Sequence, residues 1–175
     1  MLGPMVTTFE IPTLRTDRLT LRAFRPGDLD AFAAMEADPD VRRYRGNNLR
    51  TREEVWFVMQ SSLGQWALRG YGLFALERVA DGLFGGFAGI LHPVEWPEPE
   101  LAYSLAPEAW GQGLATEAAA AARSWAFERH GFPRLASFII TGNTRSIHVA
   151  LRLGAVRDGT VTIRGFEAER WVHHR

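Results

Sequence analysis

Hydrophobic residues recur at two spacings along this chain, and the spacing changes where proline, glycine or a capping residue stands. Residues 17–24 (DRLTLRAF) alternate Leu19, Leu21 and Ala23 with Arg18, Thr20 and Arg22, the period-two pattern of a half-buried strand. Pro26-Gly27-Asp28 opens a helix with Leu29, Phe32 and Ala33 on one face and Asp28 as its cap, and Asp38-Pro39 ends it. Thr51-Arg52-Glu53-Glu54 forms a capping box, after which Val55, Val58, Met59, Leu63, Trp66 and Ala67 follow at helical spacing to about Arg69. Apolar runs over 71–78 and 83–91 flank Asp81-Gly82, a dipeptide suited to a tight antiparallel hairpin. Residues 100–105 (ELAYSL) alternate again, between the proline-rich WPEPE and Ala106-Pro107.

Gly111-Gln112-Gly113 then opens a long helix reaching about His130, whose alanines (115, 118–122 and 126) combine helix propensity with side chains short enough to lie close on a sheet. Residues 135–141 read as a strand, Asn143 caps a helix carrying Ile147, Ala150 and Leu151, and Gly154 stops it. Strands over 155–162 and 165–172 close the chain around Arg164-Gly165. The predicted order is βααβββαβαββ: an α+β (mixed α/β) fold with a mostly antiparallel twisted sheet of about seven strands and four flanking helices. The crossover through the glycine-rich turn and its helix demands one parallel pair.

Composition narrows the chemistry. At 175 residues the chain predicts one domain over 1–175, with 1–12 as a flexible lead. A 46% hydrophobic content with 11 Phe and 6 Trp excludes intrinsic disorder. Twenty basic and twenty acidic residues cancel, so the overall attraction on which nonspecific nucleic-acid binding depends is absent, and no nucleic-acid partner is expected. There is no Cys, which excludes disulfides, thiolate zinc sites and a cysteine nucleophile. There is no Lys either, which excludes a Schiff base and a P-loop lysine. No apolar run reaches the ~18 residues of a membrane span and the N-terminus lacks a signal-peptide pattern, so the expectation is a cytoplasmic protein with no membrane partner. No metal site is expected: His173-His174 reads as the end of a frayed tail.

The most informative run is Trp110-Gly111-Gln112-Gly113-Leu114-Ala115-Thr116-Glu117-Ala118. Glycines before a helix expose consecutive N–H groups, and the helix terminus adds positive potential, which suits a pyrophosphate. A Rossmann fingerprint is disfavoured, because Thr116 holds the third position and the next strand ends without an acidic residue. The run resembles the acyl-CoA pyrophosphate loop of the GNAT N-acetyltransferases, in the version of the branch that includes the ribosomal-protein N-terminal (alanine and serine) acetyltransferases. LRTDRLTLRAFRPGDLDAF, ELAYSLAPEAWGQG and NTRSIHVALRLGA match the same family in order and spacing, so the resemblance covers nearly the whole chain.

The resemblance implies a GNAT fold whose parallel pair splays to admit the pantetheine arm of acetyl-CoA, the cosubstrate. Backbone groups near Ser104 and Leu105 would bind that arm, and Trp110, Gly111, Gln112, Gly113, Leu114, Ala115 and Thr116 would form the pyrophosphate loop. Asn143 would cap its helix and touch the arm. It further implies direct acetyl transfer to a primary amine, on a small molecule or a polypeptide N-terminus. Glu100 is the first candidate base, with Glu98 and His92 behind it; a salt-bridged strand-start carboxylate is the alternative for Glu100. The tyrosine acid common in the superfamily is replaced by Ala150, and Ser146 is the substitute this branch suggests. That departure keeps open a noncatalytic acyl-CoA sensor. Arg42, Arg43, Arg45, Arg50 and Arg52 surround Gly46-Asn47-Asn48 on the acceptor side, either favouring an acidic acceptor or forming a solvated surface. Tyr71 and Trp96 line the acceptor pocket or pack in the core. Edge strands and exposed apolar residues are compatible with a homodimer.

Overall fold

A computed structural model describes residues 9–46 and 48–175; the first part of the expected N-terminal lead, residues 1–8, and Asn47 lie outside the described residues. Eight strands form one sheet in the order β1-β2-β3-β4-β5-β6-β8-β7. They are β1 (Leu14–Arg15), β2 (Leu19–Arg22), β3 (Leu73–Arg78), β4 (Phe84–Leu91), β5 (Glu100–Leu105), β6 (Arg134–Ile140), β7 (Val156–Ile163) and β8 (Phe166–His174). The helices are α1 (Leu29–Glu36), α2 (Pro39–Arg42), α3 (Arg52–Arg69), α4 (Leu114–His130) and α5 (Thr144–Arg152).

The predicted α+β order holds, with one strand and one helix more than the pattern announced. Two-residue β1 is too short to alternate, and α2 is a single turn that begins at the Asp38-Pro39 expected only to end α1. There Asp38 caps it, accepting from the amides of Asp40 and Val41. The expected cap of α1 is a correction. Asp28 accepts instead from the Arg25 amide and from both terminal nitrogens of Arg22, a buried ion pair that Glu77 extends. Thr51 and Glu54 do form the reciprocal capping box on α3.

All neighbouring strands are antiparallel except β5 and β6, which meet at one registered pair, Glu100 and Ala136, and then part. Beyond that point Leu101 pairs with Ile90 of β4 but with no residue of β6, and its carbonyl accepts from the Ser137 hydroxyl across the gap (2.8 Å). The same hydroxyl lies 3.0 Å from His173 Nε2. His173 is therefore not part of a frayed tail. It is 1% exposed, sits opposite Leu135 in the ladder, and burial pushes its pKa down to about 4. Behind the splayed pair lies α4, whose Ala118, Ala119, Ala122 and Ala126 are fully buried in the main core cluster. A second cluster, built on Phe24, Phe32, Val55, Met59 and Phe87, packs α1 and α3 against the sheet.

Candidate active site

The splay opens a cleft of about 1270 Å³ lined by β5, β6, the start of α4, α5, and the segment between α2 and α3. Its floor is the loop before α4. Gly111 and Gly113 adopt left-handed backbone (φ 73° and 77°), which turns the chain so that α4 starts aimed into the cleft. Gly113 caps α4 without a side chain, and among the described residues the amides from Gly111 to Thr116 donate to no protein acceptor. The buried Thr116 hydroxyl is likewise unpartnered. This cradle of free donors at a helix N-terminus fits the phosphates of coenzyme A.

The cradle is braced from behind, by contacts that sequence reasoning missed. Glu117 accepts from the Thr16 hydroxyl (2.6 Å), the Arg18 amide and Arg18 Nε, while Arg18 Nη1 donates to the Gln112 carbonyl (2.7 Å). The LRTDR segment therefore fixes the loop through its main chain. The Gln112 side chain turns away to the Glu108 carbonyl, so this residue offers the cleft only its backbone. Leu114 is buried beneath the loop, and Trp110 donates its indole N–H to the Leu105 carbonyl while the Arg145 guanidinium lies 4.4 Å over its ring.

Glu100 begins β5 at the point where the strands part. Trp96 Nε1 donates to its Oε2 (2.6 Å) and the Phe138 amide reaches Oε1 (3.4 Å). Burial pushes its carboxyl up to about 7, a rise that these two donors and the charges of Arg45 and Arg164 only partly oppose. Further along β5, Ser104 Oγ accepts from Arg45 (3.3 Å). The Ser104–Leu105 backbone can lie this close to β4 because Gly86 stands opposite Leu105: a Cβ there would meet the Ser104 carbonyl at 2.2 Å.

On α5, Asn143 caps the helix through the Ser146 amide (3.3 Å) and donates from Nδ2 to Ser146 Oγ (3.0 Å). Tyr103, which the sequence reading overlooked in ELAYSL, donates its phenol to the Ser146 carbonyl (3.1 Å), and burial raises its pKa, keeping it protonated. Glu100, Tyr103, Ser104, Ser146 and Asn143 thus share one cleft.

Other expected residues lie elsewhere. Glu98 is held by Arg134 and Arg170. His92 accepts or donates at Tyr71 (2.8 Å), and both are outside the cleft lining; Tyr71 packs in the core against His130 and Phe132. Trp96 does line the cleft, as the partner of Glu100. The arginine cluster divides: Arg42, Arg45 and Arg50 converge on the fully buried Glu36, whereas Arg43 pairs with Asp40 and Arg52 with Asp30 at the surface.

Comparison with known proteins decides the family. Residues 18–156 match the Acetyltransferase (GNAT) domain model. The chain belongs to the GNAT acetyltransferase family. It is 28% identical to the uncharacterized N-acetyltransferase YoaA of Bacillus subtilis (strain 168), over 86% of each chain. Its fold superposes on the crystal structure of an acetyltransferase from Agrobacterium tumefaciens str. C58 with a TM-score of 0.85 at 33% identity, covering 99% of this chain and 100% of that one. A more distant fold match, the ribosomal L7/L12 alpha-N-protein acetyltransferase RimL solved with coenzyme A, has a TM-score of 0.76 at 16% identity, covering 93% of this GNAT chain and 98% of RimL. Sequence and fold are those of an N-acetyltransferase, and the expected resemblance to that branch holds at the level of the fold.

Proposed function

We propose that this chain transfers an acetyl group directly from acetyl-CoA to a primary amine, with Glu100 as general base and no covalent enzyme intermediate. The observation that carries the reading is the Glu100 carboxyl, held in the cleft where β5 and β6 part with a pKa of about 7. A carboxyl tuned to neutral pH accepts a proton from an ammonium or an attacking amine far better than an ordinary one near 4.3.

In this reading the free amides of Gly111 to Thr116, with the Thr116 hydroxyl, bind the coenzyme's phosphates, and the strand edge at Ser104 and Leu105 aligns its arm. The neutral amine attacks the thioester carbonyl, a carbon–nitrogen bond forms, and a backbone N–H stabilises the oxyanion. The carbon–sulfur bond then breaks, Glu100 takes the proton lost by nitrogen, and coenzyme A leaves as thiolate or thiol. Asn143 Nδ2 donates to Ser146 Oγ, which leaves the serine's own O–H free to donate to the departing sulfur. Tyr103, whose phenol donates to the Ser146 carbonyl, holds the first turn of α5 in place beside β5.

The test is calorimetric titration with acetyl-CoA followed by free-thiol release across small amines and peptides with free N-termini. Binding with amine-dependent thiol release is the expected result. Binding with no release from any amine would replace the transferase with the sensor reading.

A further inference from the structure

The turn between β7 and β8 carries a residue with left-handed backbone that lines the cleft beside Trp96. Ile163 and Phe166 pair, leaving a two-residue turn in which Arg164 has φ 49° and Gly165 φ 82°. Such turns favour Asn, Asp or Gly in the first position. Arg164 is the sole non-glycine with positive φ among the described residues, so the turn carries a backbone strain that Asn or Gly would avoid. Its guanidinium lies 4.8 Å over the Trp96 ring, and that indole holds Glu100. Among the described residues no carboxylate pairs with Arg164.

The neighbouring charges are also unbalanced. Arg42, Arg45 and Arg50 share the single carboxylate of Glu36, with Arg50 the most distant at 3.5 Å. Glu54 acts on Arg50 only at longer range and is committed to capping α3. Burial lowers the pKa of Arg50; Glu36 works against that, and the charges of Arg45 and Arg164, which share the cleft with Arg50, work with it. An anion placed between Arg50 and Arg164 would relieve that repulsion and satisfy both forks.

Resting on the transferase reading, we propose that the acceptor is a primary amine carrying an anionic group, its nitrogen beside Glu100 and its carboxylate or phosphate on Arg164 and Arg50. The coenzyme does not need these two groups, because the loop before α4 already offers its phosphates free amides and a helix N-terminus. A polyamine acceptor is disfavoured by the same charges.

The experiment compares kcat/KM for γ-aminobutyrate, its neutral amide and putrescine, which share one chain length, and for a peptide beginning with Asp against one beginning with Asn. The wild-type protein should prefer the anionic member about tenfold or more, and putrescine should be the poorest. The small-molecule and peptide arms tell whether the anion belongs to a free amino acid or to an N-terminal side chain. Arg164→Asn, which suits the left-handed turn, should lower the anionic-to-neutral ratio about threefold or more, Arg50 retaining the rest, while KM for acetyl-CoA stays in place. An unchanged ratio, or a loss confined to acetyl-CoA affinity, would overturn the anion seat and leave the transferase standing. Acetylation of no amine by the wild type would overturn both.

Discussion

Glu98 and Glu100 stand two residues apart and titrate in opposite directions. Burial would raise both, but Glu98 is held by Arg170 and Arg134 and falls below the ordinary value, whereas Glu100, with an indole, a distant amide and the more remote charges of Arg45 and Arg164, rises to about 7. The sequence ranks Glu100 first only because it begins ELAYSL; the opposite shifts are not legible there, since both residues follow proline in WPEPE and the arginines that hold Glu98 come from β6 and β8. The glycines of the loop are different, because their need is local. Gly113→Glu puts a side chain at φ 77° and a negative charge in the phosphate cradle, and coenzyme affinity should fall about tenfold or more by calorimetry. Gly113→Ala carries the same strain, costing ~1–2 kcal/mol of stability, without the charge. Equal affinity in the two variants would remove the loop from the coenzyme site.

At the scale of elements, the parts with strong periodicity or caps were legible. Glu100–Leu105 and Leu114–His130 fall where ELAYSL, the glycine turn and the alanine run put them, and Thr51 and Asn143 cap the helices they were expected to cap. The splay of β5 from β6 was readable only through family resemblance, because strand parting depends on what each partner bonds instead. Here Ser137 supplies that bond. Ser137→Ala leaves the Leu101 carbonyl and a nitrogen of His173 unsatisfied in the interior, and should cost about 1–3 kcal/mol in denaturant unfolding. Full stability in that variant would mean that the gap needs no strut. His173 was misread because its position near the chain end suggested fraying, while its ladder partner in β6 lies far away in sequence.

Across the whole molecule the charges cancel, yet they are not spread evenly: guanidinium groups gather at the cleft, and among the described residues no helix is long and apolar enough to cross a membrane. On the proposed mechanism the cleft joins two demands, free donors at one end for an anionic coenzyme and a raised carboxyl at the other for an amine. The second demand fixes the sign of the pH response. A general base works when ionised, so burial moves the acid limb of kcat/KM from the ordinary carboxylate range up to about 7, and the rate should climb as pH rises through that value. The acceptor's own ammonium adds a separate, higher limb, near 8 for an α-amine. The pH profile of kcat/KM in the wild type and in Glu100→Gln is therefore the most direct test. The variant should lose the limb near 7 and about 10²-fold or more in rate while keeping its affinity for acetyl-CoA. A variant profile that overlays the wild type would contradict Glu100 as the base.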